Sequence, residues 1–241
     1  MATPTDIPIS PGGNDPGLRL FLDSADPSEW ARFLPLGIFY GVTTNPLLLE
    51  RAGQACTLDN LRQLAAAAAD LGSREIQLQT WGESPEQMVN TGIKLAGFAQ
   101  SGLRTVIKIP ATDEGFRAAR VLKDSGLAVT LTAVYSTGQV LAAAGLGAAY
   151  AAPYLGRLDD AGHDGAGTVL KMHKILAGSG SNTRLLTASL RSAEQVVDLA
   201  AAGLDTFTFG AKVAAELLAS DLTGAADTDF QRAAKAMGDK T

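Results

Sequence analysis

The sequence predicts an α/β protein folded as a single (β/α)8 TIM barrel with a C-terminal helix. Eight short runs rich in Val, Ile, Leu and Thr alternate with stretches that read as helices. Strands separated by helices pair in parallel through right-handed crossovers. Eight such units within 241 residues favour a closed barrel. An open dinucleotide-binding sheet has little support, because no Gly-x-Gly-x-x-Gly segment follows a strand.

The boundaries of the elements follow from local signals. Ser84-Pro85-Glu86 places a capping residue before a proline in the first helical turn, and Gly126 supplies a C-terminal stop. The predicted strands are residues 18–22, 39–42, 75–79, 105–109, 128–132, 148–152, 184–188 and 206–209. The predicted helices are residues 58–71, 84–100, 112–124, 136–144, 167–176, 192–202, 211–219 and 227–237.

Length and composition favour one globular domain and exclude several function classes. Hydrophobic residues make up 46% of the chain, and its net charge of −5 is spread without a polybasic block. We therefore expect no nucleic-acid or membrane partner. Residues 1–17 are rich in Pro, Gly, Thr and Asp and lack the features of a targeting peptide. They are predicted to form a flexible N-terminal arm, and residues 18–241 the barrel of a cytoplasmic protein.

Cysteine and histidine usage give no sign of a disulfide or a metal. Cys56 is the only cysteine, so no internal disulfide can form. His163 and His173 have no third ligand at metal-binding spacing, and we expect no metal site.

Lys108 is the most informative single residue. It lies in the β-branched apolar run Val106-Ile107-Lys108-Ile109-Pro110. Burial of a lysine removes hydration and favours the neutral amine, which can attack a carbonyl and form a Schiff base. The alternative is a lysine at the end of a strand, with a buried stem and an ammonium group in water.

Polar side chains follow the other predicted strands as well. In a (β/α)8 barrel the carboxyl ends of all strands meet at one rim, where the reacting groups of such enzymes lie. The groups at these ends are Asp23, Thr43, Asn45, Gln79, Lys108, Thr132, Tyr154, Arg157, Ser189, Arg191 and, further on, Lys212.

This set of groups suits a Schiff-base aldol reaction. Such a reaction needs a lysine, a carboxylate that takes and returns a hydroxyl proton, and donors that hold the other hydroxyls. Asp23 is the candidate carboxylate, although an aspartate there is also a common helix cap. Arg157, Ser189 and Arg191 can hold a phosphate, because guanidinium groups bind it bidentately. Arg157 can instead pair with a neighbouring aspartate.

The chain resembles the short transaldolase and fructose-6-phosphate aldolase family from Leu18 to about Gly238. No single motif is decisive, but six occur in order and with compatible spacing. They are Leu22-Asp23-Ser24-Ala25-Asp26, Gly41-Val42-Thr43-Thr44-Asn45-Pro46, Val106-Ile107-Lys108-Ile109-Pro110-Ala111-Thr112, Thr132-Ala133-Val134-Tyr135, Ala152-Pro153-Tyr154-Leu155-Gly156-Arg157-Leu158-Asp159 and Thr187-Ala188-Ser189-Leu190.

The resemblance implies a cofactor-free class I aldolase that holds a dihydroxyacetone unit on Lys108. Asp23 matches the proton-transferring residue and Thr132 a hydroxyl that holds the catalytic water. The remaining matches are substrate contacts, namely Thr43 and Asn45 for hydroxyls or the Schiff base, and Arg157 and Ser189 for a phosphate. The resemblance also implies a homo-oligomer, commonly a pentamer or decamer, in which the last helix reaches a neighbour.

Two positions indicate the branch of the family. Direct aldolases carry glutamine and tyrosine where Gln79 and Tyr154 stand, whereas enzymes that transfer the three-carbon unit usually carry glutamate and phenylalanine. The sequence therefore leans to a fructose-6-phosphate aldolase. Trp81 and Lys212 depart from the family, and a tryptophan at position 81 could narrow or cap the pocket.

Other functions remain open at this stage. One is a transaldolase that passes dihydroxyacetone to an aldose phosphate in the pentose phosphate pathway. Others are a barrel of another chemistry, such as a sugar-phosphate isomerase or a metal-assisted aldolase, and a non-catalytic barrel that binds a sugar phosphate. Tyr154 is also compatible with simple packing at the barrel rim.

Overall fold

Eight parallel strands form a barrel in the computed structural model, which describes residues 17–100 and 102–238. Apart from Gly17, the predicted N-terminal arm lies outside the described residues. The strand order is β7-β6-β5-β4-β3-β2-β1-β8, and a bridge between Thr187 and Phe207 joins the two ends. The prediction of a single (β/α)8 barrel is confirmed. The strands are β1 Arg19–Asp23, β2 Gly41–Thr43, β3 Glu75–Gln79, β4 Arg104–Pro110, β5 Val129–Val134, β6 Tyr150–Pro153, β7 Arg184–Leu185 and β8 Thr206–Phe209.

Helices follow the strands and surround the barrel. Three short helices, α1, α2 and α7, were not among those predicted, because six or seven residues give too few turns for an apolar period. The helices are α1 Pro27–Phe33, α2 Pro46–Arg51, α3 Leu58–Asp70, α4 Pro85–Ala96, α5 Asp113–Asp124, α6 Thr137–Leu146, α7 Leu155–Asp160, α8 Gly165–Ser179, α9 Ala193–Ala201, α10 Ala211–Leu218 and α11 Asp221–Ala236.

Side-chain caps fix where many of these helices begin. The Ser84 hydroxyl accepts a hydrogen bond from the Gln87 N–H, and Ser136 forms a reciprocal capping box with Gln139. Ser220 caps α11, so this helix begins six residues earlier than the predicted start at Asp227. Each cap satisfies a free N–H group of the first helical turn, and this fixes the residue at which the helix begins.

Two apolar layers stabilise the barrel. The outer layer lies between strands and helices and contains fully buried residues such as Ile107, Ile109 and Leu131. The inner layer fills the barrel with Phe21, Val106, Tyr150, Ala152 and Leu186. Residues that alternate along a strand thus point either to the helices or into the barrel. Lys108 lies between Ile107 and Ile109, so it points into the barrel.

A buried polar network occupies the amino-terminal half of the barrel interior. The carboxylate of Glu75 accepts hydrogen bonds from Arg104 at 3.2 Å, Tyr150 at 3.1 Å and Gln77 at 2.8 Å. The side-chain carbonyl of Gln77 in turn accepts a hydrogen bond from the Thr130 hydroxyl at 2.8 Å. The interior below the rim is therefore filled and hydrogen-bonded, as expected of a barrel that is a core rather than a channel.

Helix α11 is the least packed element. None of its residues is buried, and the side chains of Leu222 and Phe230 are 85% and 70% exposed. Its apolar residues therefore have no covering surface within the described chain. No helix among the described residues has the length and apolar character needed to cross a membrane.

The stability contribution of Glu75 is predicted to depend on pH. Burial raises the pKa of Glu75 above its ordinary value of 4.5, although Arg104 and the hydrogen bonds oppose this shift. A raised folded-state pKa gives a contribution that is complete below the unfolded value and is lost as pH rises through the folded value. Substitution of Glu75 by Gln removes this titration. We expect the free energy of unfolding of Glu75→Gln to rise relative to wild type as the pH increases from 4.5 to neutral.

Urea denaturation of both proteins across this range measures the difference. Tyr150 and Arg19 are electrostatically coupled to Glu75, but both titrate at much higher pH, so the difference over this range follows Glu75. A difference that stays constant over this range, or that falls, contradicts the prediction.

Candidate active site

A cavity of about 380 Å³ opens at the carboxyl ends of the strands. All the predicted site residues line it except Thr43 and Arg191. Its walls also include residues that the sequence did not single out, among them Arg51 and Tyr135. The lining residues are Asp23, Asn45, Pro46, Leu47, Leu48, Arg51, Gln79, Lys108, Pro110, Thr132, Ala133, Tyr135, Tyr154, Arg157, Ala188 and Ser189.

Lys108 lies near the end of β4, with its side chain in the cavity. It is 3% exposed and stands in register with Gln79 on β3 and Thr130 on β5. No carboxylate in the described part of the chain forms an ion pair with it. The amine is thus largely removed from solvent and lines a cavity that a carbonyl substrate can enter, which is the position that a Schiff-base lysine requires.

Asp23 ends β1 and is held by a neighbouring hydroxyl. The Thr43 hydroxyl donates a hydrogen bond to the Asp23 carboxylate at 2.6 Å, and the Thr43 hydroxyl also contacts that of Thr208 on β8. Thr43 is fully buried, so it supports Asp23 from behind and does not line the cavity. Asp26, not Asp23, caps the following helix, and this leaves the Asp23 carboxylate for the cavity.

Thr132 and Tyr154 form a second polar pair. Their hydroxyl oxygens lie 2.9 Å apart, joining the ends of β5 and β6. A register shift between Leu131 and Val134, with Ala133 at a φ of 54°, interrupts the regular pairing at this point. Such irregularities redirect side chains and occur often beside active sites. Two hydroxyls at this spacing can hold a water molecule between the strands and the Lys108 amine.

Ser189 and Arg157 form the side of the cavity beyond β6 and β7. Ser189 has a φ of 59°, which is uncommon for a residue with a side chain. The Gly156 N–H donates to the Ser189 carbonyl at 3.0 Å, and a Cβ at Gly156 would lie 2.5 Å from that oxygen. Only glycine therefore permits this close approach of α7 to Ser189. A hydroxyl and a guanidinium here suit a phosphate.

Tyr135 was quoted in a motif but given no role by the sequence. Its ring packs edge-on against Tyr154, with centroids 5.9 Å apart, and the Arg157 guanidinium lies close enough to act on its hydroxyl electrostatically. Burial raises the pKa of Tyr135, although the nearby Arg157 guanidinium opposes this shift. Tyr135 thus links the Thr132–Tyr154 pair to the cationic side of the cavity. The contact depends on the bulge in β5, which precedes Tyr135 and has no marker in the sequence.

Asn45 connects the cavity to helix α2. Its side-chain oxygen accepts hydrogen bonds from the N–H groups of Leu47 and Leu48, at 3.0 and 3.1 Å. Asn45 is therefore a helix cap as well as a cavity residue. This helix carries Arg51 into the cavity wall, and sequence reasoning missed Arg51 because it missed the helix.

Three other residues that the sequence singled out lie away from the cavity. Arg191 forms an ion pair with Asp160, and its side chain is 54% exposed. Trp81 packs against the outer apolar layer. Lys212 pairs with Glu216 at 3.7 Å on the surface of α10. Among the described residues, no group of His, Cys, Asp and Glu is arranged to hold a metal ion.

The family comparison agrees with this geometry. The model of the family described as transaldolase/fructose-6-phosphate aldolase matches residues 20–240.

The chain belongs to the transaldolase/fructose-6-phosphate aldolase family.

Curated relatives support this membership over nearly their whole length. A protein of Moorella thermoacetica named "Probable transaldolase" is 35% identical over 215 residues, which is 89% of this chain and 95% of that protein. Another of the same name, from Maridesulfovibrio salexigens, is 36% identical over 206 residues, covering 86% of this chain and 92% of that protein. Transaldolase/aldolase family membership thus identifies the chain as an enzyme of this type.

A solved structure shows the same barrel architecture in a distant protein. A mandelate oxidase mutant with an FMN adduct superposes with a TM-score of 0.56 at 13% identity, covering 80% of this chain and 64% of that one. This likeness concerns the fold alone. The site of the present chain is therefore interpreted from its own residues and from its family.

Proposed function

We propose that this transaldolase-family enzyme is a Schiff-base aldolase that cleaves or forms the C3–C4 bond of fructose 6-phosphate or a related ketose phosphate. The observation that carries the proposal is the buried position of Lys108 within a cavity that also contains Asp23 and the Thr132–Tyr154 pair. A nucleophilic amine, a carboxylate and a water-binding pair are the groups that this chemistry requires.

In the proposed reaction, the Lys108 amine attacks the C2 ketone and water leaves, which gives a protonated Schiff base. Asp23 then takes the C4 hydroxyl proton as the C3–C4 bond breaks, and the bonding electrons move into the Schiff base to form an enamine. Glyceraldehyde 3-phosphate departs with its new aldehyde group. The hydrogen bond from Thr43 keeps the Asp23 carboxylate oriented towards this proton.

The second half of the reaction restores the enzyme. A water molecule held by Thr132 and Tyr154, with Gln79 beside it, protonates the enamine carbon in the aldolase reaction. Addition of water to the resulting Schiff base then releases dihydroxyacetone and the free Lys108 amine. The protonated Schiff base on Lys108 serves as the electron sink during cleavage, so the proposed chemistry needs no metal or organic cofactor.

Polar groups around the cavity are proposed to hold the substrate. Asn45 is proposed to contact the hydroxyls beside C2, whereas the buried Thr43 acts through Asp23, and Arg157 and Ser189 are proposed to bind the phosphate. Arg191 is proposed as a further phosphate contact. It reaches the phosphate only after its ion pair with Asp160 has opened. A small sugar phosphate is the expected partner, and the cytoplasm, where such compounds are made and consumed, is the proposed location.

Two residues support a direct aldolase over the transferase branch. Gln79 cannot accept a proton as a glutamate can, so proton movement depends on Tyr154 and Asp23. The curated relatives, in contrast, are named as transaldolases. The second candidate is therefore a transaldolase that passes the enamine to an aldose phosphate of the pentose phosphate pathway.

Turnover of fructose 6-phosphate with and without erythrose 4-phosphate separates these candidates. The aldolase proposal predicts that dihydroxyacetone and glyceraldehyde 3-phosphate form in equal amounts without an acceptor. The double variant Gln79→Glu, Tyr154→Phe is expected to lower this release at least about tenfold, because it removes the tyrosine hydroxyl that holds the water which protonates the enamine. Products are quantified by coupled assay and mass spectrometry.

Two outcomes contradict the aldolase branch. Turnover only in the presence of erythrose 4-phosphate indicates a transaldolase. Saturable binding of fructose 6-phosphate without turnover under either condition indicates a non-catalytic sugar-phosphate-binding protein.

We also propose that the enzyme forms a homo-oligomer, a pentamer or decamer, through α11. The exposed apolar side chains of Leu222, Phe230 and Met237 support this proposal. Phe230→Glu is expected to reduce the sedimenting mass, whereas Lys235→Glu on the same helix gives a charge-changing control. A wild-type protein that sediments as a monomer at all concentrations contradicts the proposal.

A further inference from the structure

Two arginines enter the cavity from opposite sides of the barrel. Arg51 ends α2, which follows β2, and Arg157 lies on α7, which follows β6. In the closed strand order, three strands separate β2 from β6 in either direction. Both arginines line the same cavity. The cavity therefore has permanent positive charge on two opposite walls.

Arg51 has no acidic partner in the described part of the chain, unlike four arginines on the longer helices. Arg62, Arg117, Arg120 and Arg232 each pair with an aspartate three or four residues away on their own helix. The corresponding positions around Arg51 hold leucine, glutamine and alanine. Within residues 17–100 and 102–238, no carboxylate forms an ion pair with Arg51.

No carboxylate that lines the cavity forms an ion pair with Arg51. The only carboxylate among the described lining residues is that of Asp23, which accepts the Thr43 hydrogen bond. The backbone of Arg51 is fixed, since Asn45 caps the start of α2 and Leu49 anchors the helix with 2% exposure. An unpaired guanidinium on a fixed helix, facing a concave site, is suited to bind an anionic group bidentately.

The placement indicates which end of a substrate Arg51 meets, and this step rests on the proposed function. When a phosphate occupies Arg157 and Ser189 and C2 is bonded to Lys108, C1 points away from that phosphate. Lys108 is on β4, two strands from β2. We propose that Arg51 forms a second anion subsite, which binds an anionic group on C1 of a sugar whose other phosphate lies at Arg157. The substrate class is then a sugar with phosphates at both ends.

Calorimetry with two hexitol phosphates tests this subsite without the reaction. Glucitol 6-phosphate and glucitol 1,6-bisphosphate lack the ketone, so neither forms a Schiff base. Wild-type protein at low ionic strength is expected to bind the bisphosphate about tenfold more tightly than the monophosphate, the order of one charge-assisted contact. Arg51→Gln is expected to reduce this ratio to about twofold or less.

Arg32→Gln is the matched control. Arg32 is an exposed arginine near the end of α1, with its guanidinium over the Phe33 ring, and it does not line the cavity. Its removal changes the net charge equally and is expected to leave the ratio of affinities unchanged. A loss of the ratio in both variants identifies a general charge effect and overturns the subsite.

Three further results overturn the proposal: equal affinity of wild type for the two hexitols, a ratio that persists in Arg51→Gln, and no binding of the bisphosphate. Failure of the proposed aldol reaction is a separate finding. It appears as absent carbon–carbon cleavage in the turnover assay, and the calorimetric ratio still decides the role of Arg51.

Discussion

The hydrogen bonds of Thr187 close the barrel, and the geometry of the site depends on that closure. The Thr187 N–H donates to the Thr206 carbonyl at 3.0 Å, and the Thr208 N–H donates to the Thr187 carbonyl at 2.9 Å. Strand β7 has only two residues, so these bonds join the two ends of the sheet. They also connect two sides of the cavity. Ser189 lies two residues after Thr187, and the Thr208 hydroxyl contacts that of Thr43, which is hydrogen-bonded to Asp23.

The barrel interior has two parts along its axis: a hydrogen-bonded network in the amino-terminal half and the cavity at the carboxyl end. In the amino-terminal half, the Glu75 carboxylate is surrounded by donors, and its hydrogen bonds continue through Gln77 to Thr130. At the carboxyl end, Lys108 and the cavity side of Asp23 face a space that a ligand can fill. Buried polar groups are costly unless paired. The paired layer therefore provides a fixed base beneath Lys108, Asp23 and the other residues of the cavity.

The sequence predicted the strands and their ends well, because both depend on local pattern. Strand β3 has the predicted bounds, and Lys108 and Asp23 occupy the rim that strand alternation implied. What the sequence missed depends on tertiary contacts. Helix α2 is too short to show a period, so Arg51 was overlooked. The left-handed backbone of Ser189 and the pairing of Arg191 with Asp160 carry no local signal, since neither involves a glycine or a neighbouring residue.

Covalent trapping on Lys108 tests the proposed Schiff-base chemistry most directly. The enzyme is incubated with fructose 6-phosphate, reduced with borohydride and examined by intact and peptide mass spectrometry, with Lys108→Met as the control. Schiff-base chemistry on Lys108 predicts a reduced adduct on the Lys108 peptide, including a three-carbon adduct from substrate that has been cleaved. An adduct on another lysine, or no adduct under conditions where fructose 6-phosphate is bound, contradicts the role assigned to Lys108.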